Sequence, residues 1–511
     1  MHQSPRAFCS NRPSGLSTLS LRALLVAGLA TPPSSFALTK QKFDFVVGVN
    51  GDAKAGLAAA KVSSRPKFIL FFPDGEYDLG SLTGDANQMT TFSGHNVSFI
   101  GQSSEKTVLF NKSINEGIGI TATLLLKDAD NLYMQDMTIF NKAVYGNTAQ
   151  YNTTGRHVAI QEQSDKVIYR NVKLKSTQDT YYTKGTRTYW EGGEIHGTTD
   201  FICGGGDVFF NKVKLWEMKV SAITASQSNS TWGYVFKDCI VDGTVSGFTL
   251  GRSWGDARVV FLNATMNKLP SEAGWGDPMN SVPKVFAEYK SVTSSGTAVD
   301  LSKRRRSYTK DATTVTLNPV LSDAEAAKYT VANVLSGSDN WQPQVIASQV
   351  AAPIVSLVGT TLNWDDNDNA LCWAVFKNGK YLTNVVTNGF DFSPLSSISK
   401  GDTLSVRAAN SMGGLGATSN RVVVGSTSSA TNSDVVRLGH AYDRTSRTLT
   451  ISGKHSGRLR ASLHRLDGSL VVTESTDRPT IAFSLDTLKP GVYMLDYNQG
   501  GSAWAGALEV L

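Results

Sequence analysis

Residues 166–174 read KVIYRNVKL, and residues 131–141 read NLYMQDMTIFN. Each is a short run of β-branched and aromatic residues with an Asn or Asp midway, and similar runs recur from about Phe43 to Pro343. Helical periodicity is nearly absent between them, so the repeat predicts short strands joined by turns. The other members are NVSFIG (96–101), TYWEGGEIHG (188–197), DVFFNKVKLW (207–216), YVFKDCIVDG (234–243) and RVVFLNATM (258–266).

The spacing of these runs selects among all-β architectures. An antiparallel sandwich would place a turn about every 8–12 residues. The matching positions instead lie 19 to 35 residues apart, which suits a coil of three short strands that pairs with the next coil. We therefore predict an all-β chain with a single-stranded parallel β-helix as its main part. The matching positions are Val97, Leu132, Val167, Tyr189, Val208, Val235 and Val260.

Composition divides the chain into further segments. Arginines precede the apolar stretch 23–30, and small residues follow at 35–37, so we expect residues 1–37 to be an export signal peptide. The β-helix then occupies 38–343. We expect this part to fold independently of the residues that follow it and to contain the whole site.

Two small β-sandwich modules are predicted after the β-helix. Residues 344–425 carry closely spaced strand patterns and the hairpin dipeptide Asn378-Gly379, and they are similar to fibronectin type III modules. Residues 426–434 form a Ser/Thr-rich linker. Residues 435–511 resemble the C-terminal sorting modules of bacterial secreted proteins, which indicates contact with a cell surface or secretion system; a plain accessory sandwich is the alternative.

Charge and cysteine content limit the function classes. The 49 Lys and Arg against 43 Asp and Glu give a net charge of +6 spread over 511 residues, with no footprint typical of nucleic-acid binding. The one dense run, Lys303–Arg306, is interpreted as a solvated loop. Cys203, Cys239 and Cys372 form no disulfide framework, and no metal-binding motif is present, so we expect buried thiols and no metal.

Three segments carry candidate chemistry: STQDTYY (176–182), GTTDFICGGGD (197–207) and LGRSW (250–254). Asp179 and Asp200 are 21 residues apart, and Arg156 and Gln178 are 22 apart, about one coil each. We therefore expect Arg156, Gln178 and Asp200 to stack in a column, with a local bend bringing Asp179 beside them. When two carboxyl groups lie this close together, the charge of one raises the pKa of the other. The protonated group is then a proton donor, and the ionised group is a nucleophile. The alternative is that both aspartates merely bond turn amides.

These motifs resemble those of the pectin methylesterase (pectinesterase) family of carbohydrate esterases, which are right-handed parallel β-helices. The family's GYQDT, VDFIFG and LGRPW correspond to STQDT, TDFICG and LGRSW here. Its upstream GxYxE and QAVAL correspond to GEYDL (75–79) and RHVAI (156–160). The resemblance covers roughly residues 43–343 and implies an enzyme that removes methyl esters from pectin.

The resemblance also implies catalytic roles. Asp200 would be the nucleophile on the ester carbon, and the Gln178 amide would donate to the developing oxyanion. Asp179 would protonate departing methanol and then activate water. Arg252 would pair with Asp200. No cofactor is implied.

Substrate contacts follow from the same resemblance. Trp254 would offer an aromatic face to a sugar ring, and Tyr181 would be a further cleft aromatic. Arg156 stands where the family has a second oxyanion glutamine, and Ser253 where it has proline. Arg156 would donate to the oxyanion or hold a substrate carboxylate, or instead pair with a local acid outside the cleft.

Other functions remain as alternatives. Residues 251–255 form a GxSxG, but a strand pattern follows it where a serine esterase would have a helix. A β-helix polysaccharide lyase would need a cluster of acidic residues for Ca²⁺, and none is evident. A non-catalytic pectin-binding β-helix would not need the aspartates and Arg252. The favoured prediction is a secreted or cell-surface bacterial monomer that acts on pectin.

Overall fold

A computed structural model describes residues 38–511, except 152–154, 228–229, 426–438, 444–446, 454–457, 466–468, 479, 500–501 and 511. The predicted signal peptide (1–37) and linker (426–434) lie outside the described residues, so both stay predictions. No helix among the described residues is long and apolar enough to cross a membrane.

Residues 45–293 form a right-handed parallel β-helix with three sheets, as predicted. Sheet 1 contains Phe45–Val46, Phe68–Phe72, Val97–Gly101, Tyr133–Gln135, Val167–Arg170, Arg187–Glu191, Asp207–Asn211, Tyr234–Lys237, Arg258–Leu262 and Val285–Tyr289. Sheet 2 contains Thr90–Phe92, Leu124–Lys127, Ile160–Gln163, Tyr181–Thr183, Ile202–Gly204, Ala222–Ser226 and Thr249–Ser253. Sheet 3 contains Gly75–Asp78, Thr107–Asn111, Thr138–Asn141, Lys173–Lys175, Glu194–Gly197, Lys214–Glu217, Ile240–Gly243, Thr265–Met266 and Val292–Thr293.

Short helices and antiparallel sheets complete the described chain. The α-helices are Ala53–Lys61, Leu79–Thr83, Asp323–Ala326, Val331–Leu335 and Pro343–Ile346, and Thr148–Gln150 is a 3₁₀ turn. The antiparallel strands from 307 to 423 are Ser307–Lys310, Thr313–Thr316, Ser356–Val358, Thr361–Asn363, Trp373–Lys377, Lys380–Val385, Gly389–Asp391, Thr403–Ala409, Leu415–Thr418 and Val422–Val423. The C-terminal strands are Gly439–Asp443, Thr448–Ser452, Leu459–Arg465, Leu470–Thr476, Thr480–Ser484, Gly491–Gln499 and Ser502–Val510.

The Asn and Asp residues midway in the repeats form the corners between sheet 1 and sheet 3. Asp136, Asn171, Asp238 and Asn263 all have φ between 49° and 54°. Asn and Asp tolerate this left-handed conformation better than most residues, so they turn the chain without a glycine. Corner side chains also bond along the stack, as Asn171 Nδ2 does to Asp136 Oδ1 at 2.6 Å.

The alignment of repeats predicted from the sequence is correct for Val97, Leu132, Val167 and Val208, and it is one residue off for Tyr189, Val235 and Val260. Val167 pairs with Thr188 and not with Tyr189. Because strand side chains alternate, a one-residue shift exchanges the two faces of the sheet. Val167 therefore lies in the β-helix interior, while Tyr189, Val235 and Val260 lie on the outer face of sheet 1.

Aromatic rings stack along the interior between neighbouring coils. The ring centroids of Tyr169 and Trp190 are 4.2 Å apart, and those of Phe210, Phe236 and Phe261 are successively 4.4 Å apart. All five side chains are fully buried. Such stacks add specific ring–ring attraction to the free energy that apolar burial contributes.

The carboxyl group of Glu162 lies among these apolar side chains. It is fully buried and accepts hydrogen bonds from Tyr169 Oη at 2.7 Å and Tyr181 Oη at 3.0 Å. Thr183 and Thr188 donate to its other oxygen. Burial raises the pKa of Glu162 to about 7, although the hydroxyl donors oppose that shift.

Glu162 should make the free energy of unfolding depend on pH. Its pKa is higher in the folded than in the unfolded chain, so the folded state keeps the proton and stability falls as pH rises from about 4.5 to 7. The loss is on the order of 3 kcal/mol. Glu162→Gln should remove this part of the slope in urea unfolding at pH 5 and pH 7.5, whereas Glu272→Gln, at an exposed glutamate, should not. Equal slopes for Glu162→Gln and wild type would contradict this assignment.

The outer face of sheet 1 is covered, so its strands are apolar on both faces. Helix Val331–Leu335 packs over sheet 1 near Tyr189 and Phe209. The antiparallel strands from Ser356 to Val423 pack on a core of their own and form a sandwich. This sandwich covers the part of sheet 1 nearer the N-terminus, where the Phe71 and Tyr381 rings lie 4.6 Å apart. Burial on both faces is typical of parallel sheets.

Hydrogen bonds join the same surfaces. Arg407 on the sandwich donates to the Gln102 carbonyl at 2.7 Å and pairs with Asp136 at 3.2 Å. Gln135 Nε2 donates to the Leu415 carbonyl at 2.9 Å. Sheet 1 and the sandwich thus share one core, which argues against the expectation that residues 38–343 fold independently.

Removing residues 344–511 should therefore destabilise the β-helix. The truncation exposes the part of the outer face of sheet 1 that the sandwich covers, at a cost of about 25 cal/mol for each Å² of apolar surface. We expect a lower melting temperature and aggregation for a chain ending at 343. A chain ending at 425, which keeps the sandwich, is the matched control. If both chains melt at the same temperature, the shared core does not stabilise the β-helix.

The interpretation of the basic run 303–306 as a solvated loop is wrong for Arg304. Its guanidinium is 2% exposed and pairs with the buried Glu288, with Nε to Oε1 at 2.6 Å. It also donates to the carbonyls of Ser271 and Glu272. These contacts tie the segment after sheet 3 to the last coils.

Candidate active site

Asp179 and Asp200 lie at equivalent positions in two successive turns from sheet 3 to sheet 2. The pairing of Tyr181 with Ile202 places the two aspartates opposite each other across the ladder. Both have positive φ, 59° and 51°, which supplies the local bend that the sequence required. The Asp179 amide donates to the Thr199 carbonyl at 3.2 Å, which fixes the register of these turns.

This register corrects the predicted column. Asp200 aligns with Asp179, whereas Thr199 aligns with Gln178. Arg156 does pair with Gln178, as the 22-residue spacing predicted, because that coil is one residue longer. The three residues Arg156, Gln178 and Asp200 therefore do not form a single straight column.

Arg252 holds Asp200 from two coils away. Its Nε donates to Asp200 Oδ1 at 2.8 Å, and its second amino group donates to Oδ2 at 2.5 Å. The Asp200 side chain is 5% exposed and that of Arg252 is 33% exposed. The preceding Gly251 is needed here, since a Cβ would lie 2.2 Å from Thr224 Oγ1. A bidentate pair of this kind fixes both the charge and the orientation of a carboxylate.

Among the residues that the structure describes, Asp179 has no such bidentate partner. Burial and the nearby charge of Asp200 raise its pKa to about 8, and Arg156, Cys203 and Arg252 lower it to a smaller extent. Asp179 is therefore neutral at pH 7 and has a proton to give, beside an ion-paired carboxylate. When the environment raises the pKa of one of two neighbouring carboxyl groups in this way, the pair is typical of an acid beside a base or nucleophile.

Apolar side chains line the outer face of sheet 2 beside the aspartates. Tyr182, Cys203 and Ala225 occupy consecutive positions of this face and lie in one cluster with Trp254. The rings of Tyr182 and Trp254 are 6.2 Å apart, and Trp254 is partly exposed. Trp254 therefore lies at the surface beside the aspartates, and its contact with a sugar stays a prediction.

The prediction that Tyr181 is a cleft aromatic is wrong. Its ring is fully buried inside the β-helix, where its hydroxyl bonds to Glu162. Tyr182 is the outward-facing neighbour. Side chains alternate along a strand, so only one of the two tyrosines faces outward. Ile160 and Ile202 pair with Tyr181, and their apolar side chains belong in the interior, so the same assignment would have placed Tyr181 inside and Tyr182 outside.

The side chains of Gln178 and Arg156 differ in their surroundings. Gln178 is partly exposed, and its backbone carbonyl accepts from the His157 amide at 3.1 Å. Arg156 turns toward Glu116, on the coil before it, with Nε to Oε2 and the second amino group to Oε1 both at 3.0 Å. Sequence reasoning did not identify Glu116, because no motif marks it.

Ser253 does not have the surroundings of a serine nucleophile. It ends the strand Thr249–Ser253, is fully buried, and donates its hydroxyl to the Ser281 carbonyl. A nucleophile elbow would expose this oxygen at a strand-to-helix turn. The serine esterase alternative is therefore wrong. Within the described ranges, no group of three or more His, Cys, Asp or Glu is placed to hold a metal ion.

Comparison with known proteins agrees with these motifs. The family model described as Pectinesterase matches residues 51–338, more than half of the chain. The chain belongs to the pectinesterase family.

Individual relatives of this pectinesterase-family chain are distant. Pectinesterase 1 of Arabidopsis thaliana is 29% identical over 309 residues, which cover 56% of this chain and 48% of that protein. Pectinesterase 2 of Citrus sinensis is 24% identical over 335 residues, 60% of each protein. The chain thus spans about half to three fifths of these relatives. The solved pectin methylesterase of Erwinia chrysanthemi has a TM-score of 0.47 and 22% identity, covering 59% of this chain and 99% of that one.

Proposed function

We propose that the protein hydrolyses the methyl esters of pectin, releasing methanol and leaving pectate. The observation that carries this proposal is the pair formed by a neutral Asp179 and an ion-paired Asp200 one coil apart. Membership of the pectinesterase family, and the names of its relatives, supply the substrate class.

The first half-reaction forms an acyl-enzyme. An oxygen of Asp200 attacks the carbonyl carbon of the methyl ester, and the resulting oxyanion accepts a hydrogen bond from the side-chain amide of Gln178. The tetrahedral intermediate then expels the methoxy group as Asp179 transfers its proton to that oxygen. Methanol leaves, and the sugar remains joined to Asp200 as an anhydride.

The second half-reaction returns both carboxyl groups to their starting state. Asp179, now a carboxylate, removes a proton from water as the water attacks the sugar carbonyl of the anhydride. Cleavage releases the galacturonate and frees Asp200, which Arg252 again holds. Neither half-reaction requires a metal or an organic cofactor.

The two aspartates are buried, whereas Gln178, Arg252 and Trp254 beside them are partly exposed, so a polymeric substrate would first contact these side chains. Asp179 and Asp200 lie in the turns that lead into sheet 2, and Cys203 on the outer face of that sheet neighbours Asp179. Two cavities of about 250 and 360 Å³ are instead lined by other residues on the sheet 1 side. Trp254 would stack on a sugar ring, and Tyr182 would line the floor beneath it. We also propose that the protein acts outside the cell as a monomer. Its segments are 38–343 and 344–425, which share the core on sheet 1, and a separate module at 435–511.

Asp200→Asn should abolish methanol release from methyl-esterified pectin, because an amide does not form the acyl-enzyme. The change keeps the shape of the side chain, so the melting temperature should stay within a few degrees of wild type. Asp242→Asn, at a partly exposed aspartate on sheet 3, serves as the control and should retain activity. Near-normal methanol release by folded Asp200→Asn protein would refute the mechanism, and unsaturated products that absorb in the ultraviolet would indicate a lyase instead.

The pH dependence of kcat/KM tests the role of Asp179. Asp179 must be protonated when the reaction begins, so kcat/KM should fall about tenfold per pH unit above roughly pH 8. Asp179→Asn should lose both proton transfers, each worth about 10²–10⁴-fold, and with them this basic limb. A basic limb that persists in Asp179→Asn would assign it to another group.

A further inference from the structure

A cavity of about 250 Å³ lies beside the outer face of sheet 1, where three parts of the chain meet. Corner residues of the β-helix line one side, the segment 341–346 lines a second, and Ser411 and Met412 of the sandwich line the third. The proposed reaction does not use this cavity, because the two aspartates lie in the turns into sheet 2.

The floor of the cavity is apolar. Ile168 is 2% exposed and Trp341 is 9% exposed, and both belong to the core that sheet 1 shares with the sandwich. Ile346 and Met412 pack against the same core. Drug-sized ligands occupy cavities of about 300–1,000 Å³, so this smaller cavity suits a molecule with a single ring.

The rim of the cavity offers hydrogen-bond donors and positive charge. Lys67 and Lys166 line it, and among the described residues that line it none is acidic. Asn131 donates its Nδ2 to Asn96 Oδ1 at 3.1 Å, which leaves Asn96 Nδ2 without a hydrogen bond to the described residues. Two ammonium groups and an amide donor match the oxygens of a carboxylate.

Lys67 is the less compensated of the two cations. Its ammonium donates to the Ser411 carbonyl, and it forms no ion pair within the part of the chain that the structure describes. Lys166, by contrast, pairs with Asp339 at 2.8 Å. Burial lowers the pKa of Lys67, since water is removed from the ammonium and no carboxylate of the described residues opposes the shift. A bound anion would supply the missing negative charge.

We propose that this cavity binds a small organic carboxylate with a single ring, its ring on the apolar floor beside Trp341 and its carboxylate at Lys67. Two sources have this chemistry, a galacturonate unit that ends a de-esterified chain and a free aromatic acid. In either case the ligand contacts the β-helix, the segment 341–346 and the sandwich together. The proposal goes beyond the proposed function and holds whether or not the protein releases methanol.

Calorimetry on the full chain with four small molecules tests the cavity. D-galacturonate and 4-hydroxybenzoate carry the carboxylate, and their methyl esters are the matched neutral controls. We expect at least one acid to bind with a Kd near 1 mM, a value typical of a ligand of this size, and its ester to bind about tenfold more weakly or less. The acid that binds identifies the source. If neither acid binds, or if each binds no better than its ester, the proposal is wrong.

Lys67→Gln assigns the binding to this cavity. The change removes the charge but keeps an N–H donor for the Ser411 carbonyl, and affinity for the acid should fall about tenfold. Lys61→Gln, at an exposed lysine that ends the helix Ala53–Lys61, is the matched control and should bind like wild type. Equal affinity in Lys67→Gln and wild type would place the binding elsewhere and overturn the proposal.

Two further measurements keep the result interpretable. If Lys67→Gln does not fold, Lys166→Gln makes the same comparison, with a smaller loss of roughly threefold because Asp339 already pairs with Lys166. An unchanged affinity in that variant would count against the cavity. The acid that binds should also raise the melting temperature of wild type as its concentration rises, since it joins three parts of the folded chain. A melting temperature that does not respond to a saturating acid would contradict binding at this junction.

Discussion

The hydrogen-bonded spacing between coils, about 4.8 Å, is the constraint on which the candidate site depends. It places Asp179 and Asp200 opposite each other at matching corners, without any flexible loop. At that distance the charge of one carboxylate opposes ionisation of the other. Arg252, on a third strand of the same sheet, forms its ion pair with Asp200 and so distinguishes the two carboxyl groups.

The same regularity made much of this architecture predictable from the sequence. Coil length appears directly as the spacing between motifs, so the neighbourhood of Asp179 and Asp200 follows from 21 residues of separation. Corners with positive φ favour Asn and Asp, so the corners can be recognised in the sequence by residues such as Asn171 and Asp238. Arg252 lay inside a motif of the resembling family, so its pairing with Asp200 could also be anticipated.

Two kinds of feature could not be predicted from the sequence. One is the face of the sheet that a residue occupies, and the other is a contact between residues far apart in the chain. Tyr181 and Tyr182 are chemically alike, and only the register of the strand decides which one faces outward. Arg304 looked solvated because its partner, Glu288, lies on a strand of a preceding coil. The contact of Glu116 with Arg156 was not predicted for the same reason, since 40 residues separate them.

The shared core on sheet 1 has a consequence for how the protein unfolds. In a free solenoid each coil contacts only its neighbours, so coils can unravel one after another from either end. Here a single sandwich touches several coils at once, from Phe71 through Gln102 to Asp136. Opening any of these coils disturbs the sandwich, and losing the sandwich uncovers all of them. Over these coils, a chain built from repeats thereby acquires the cooperativity of a globular domain.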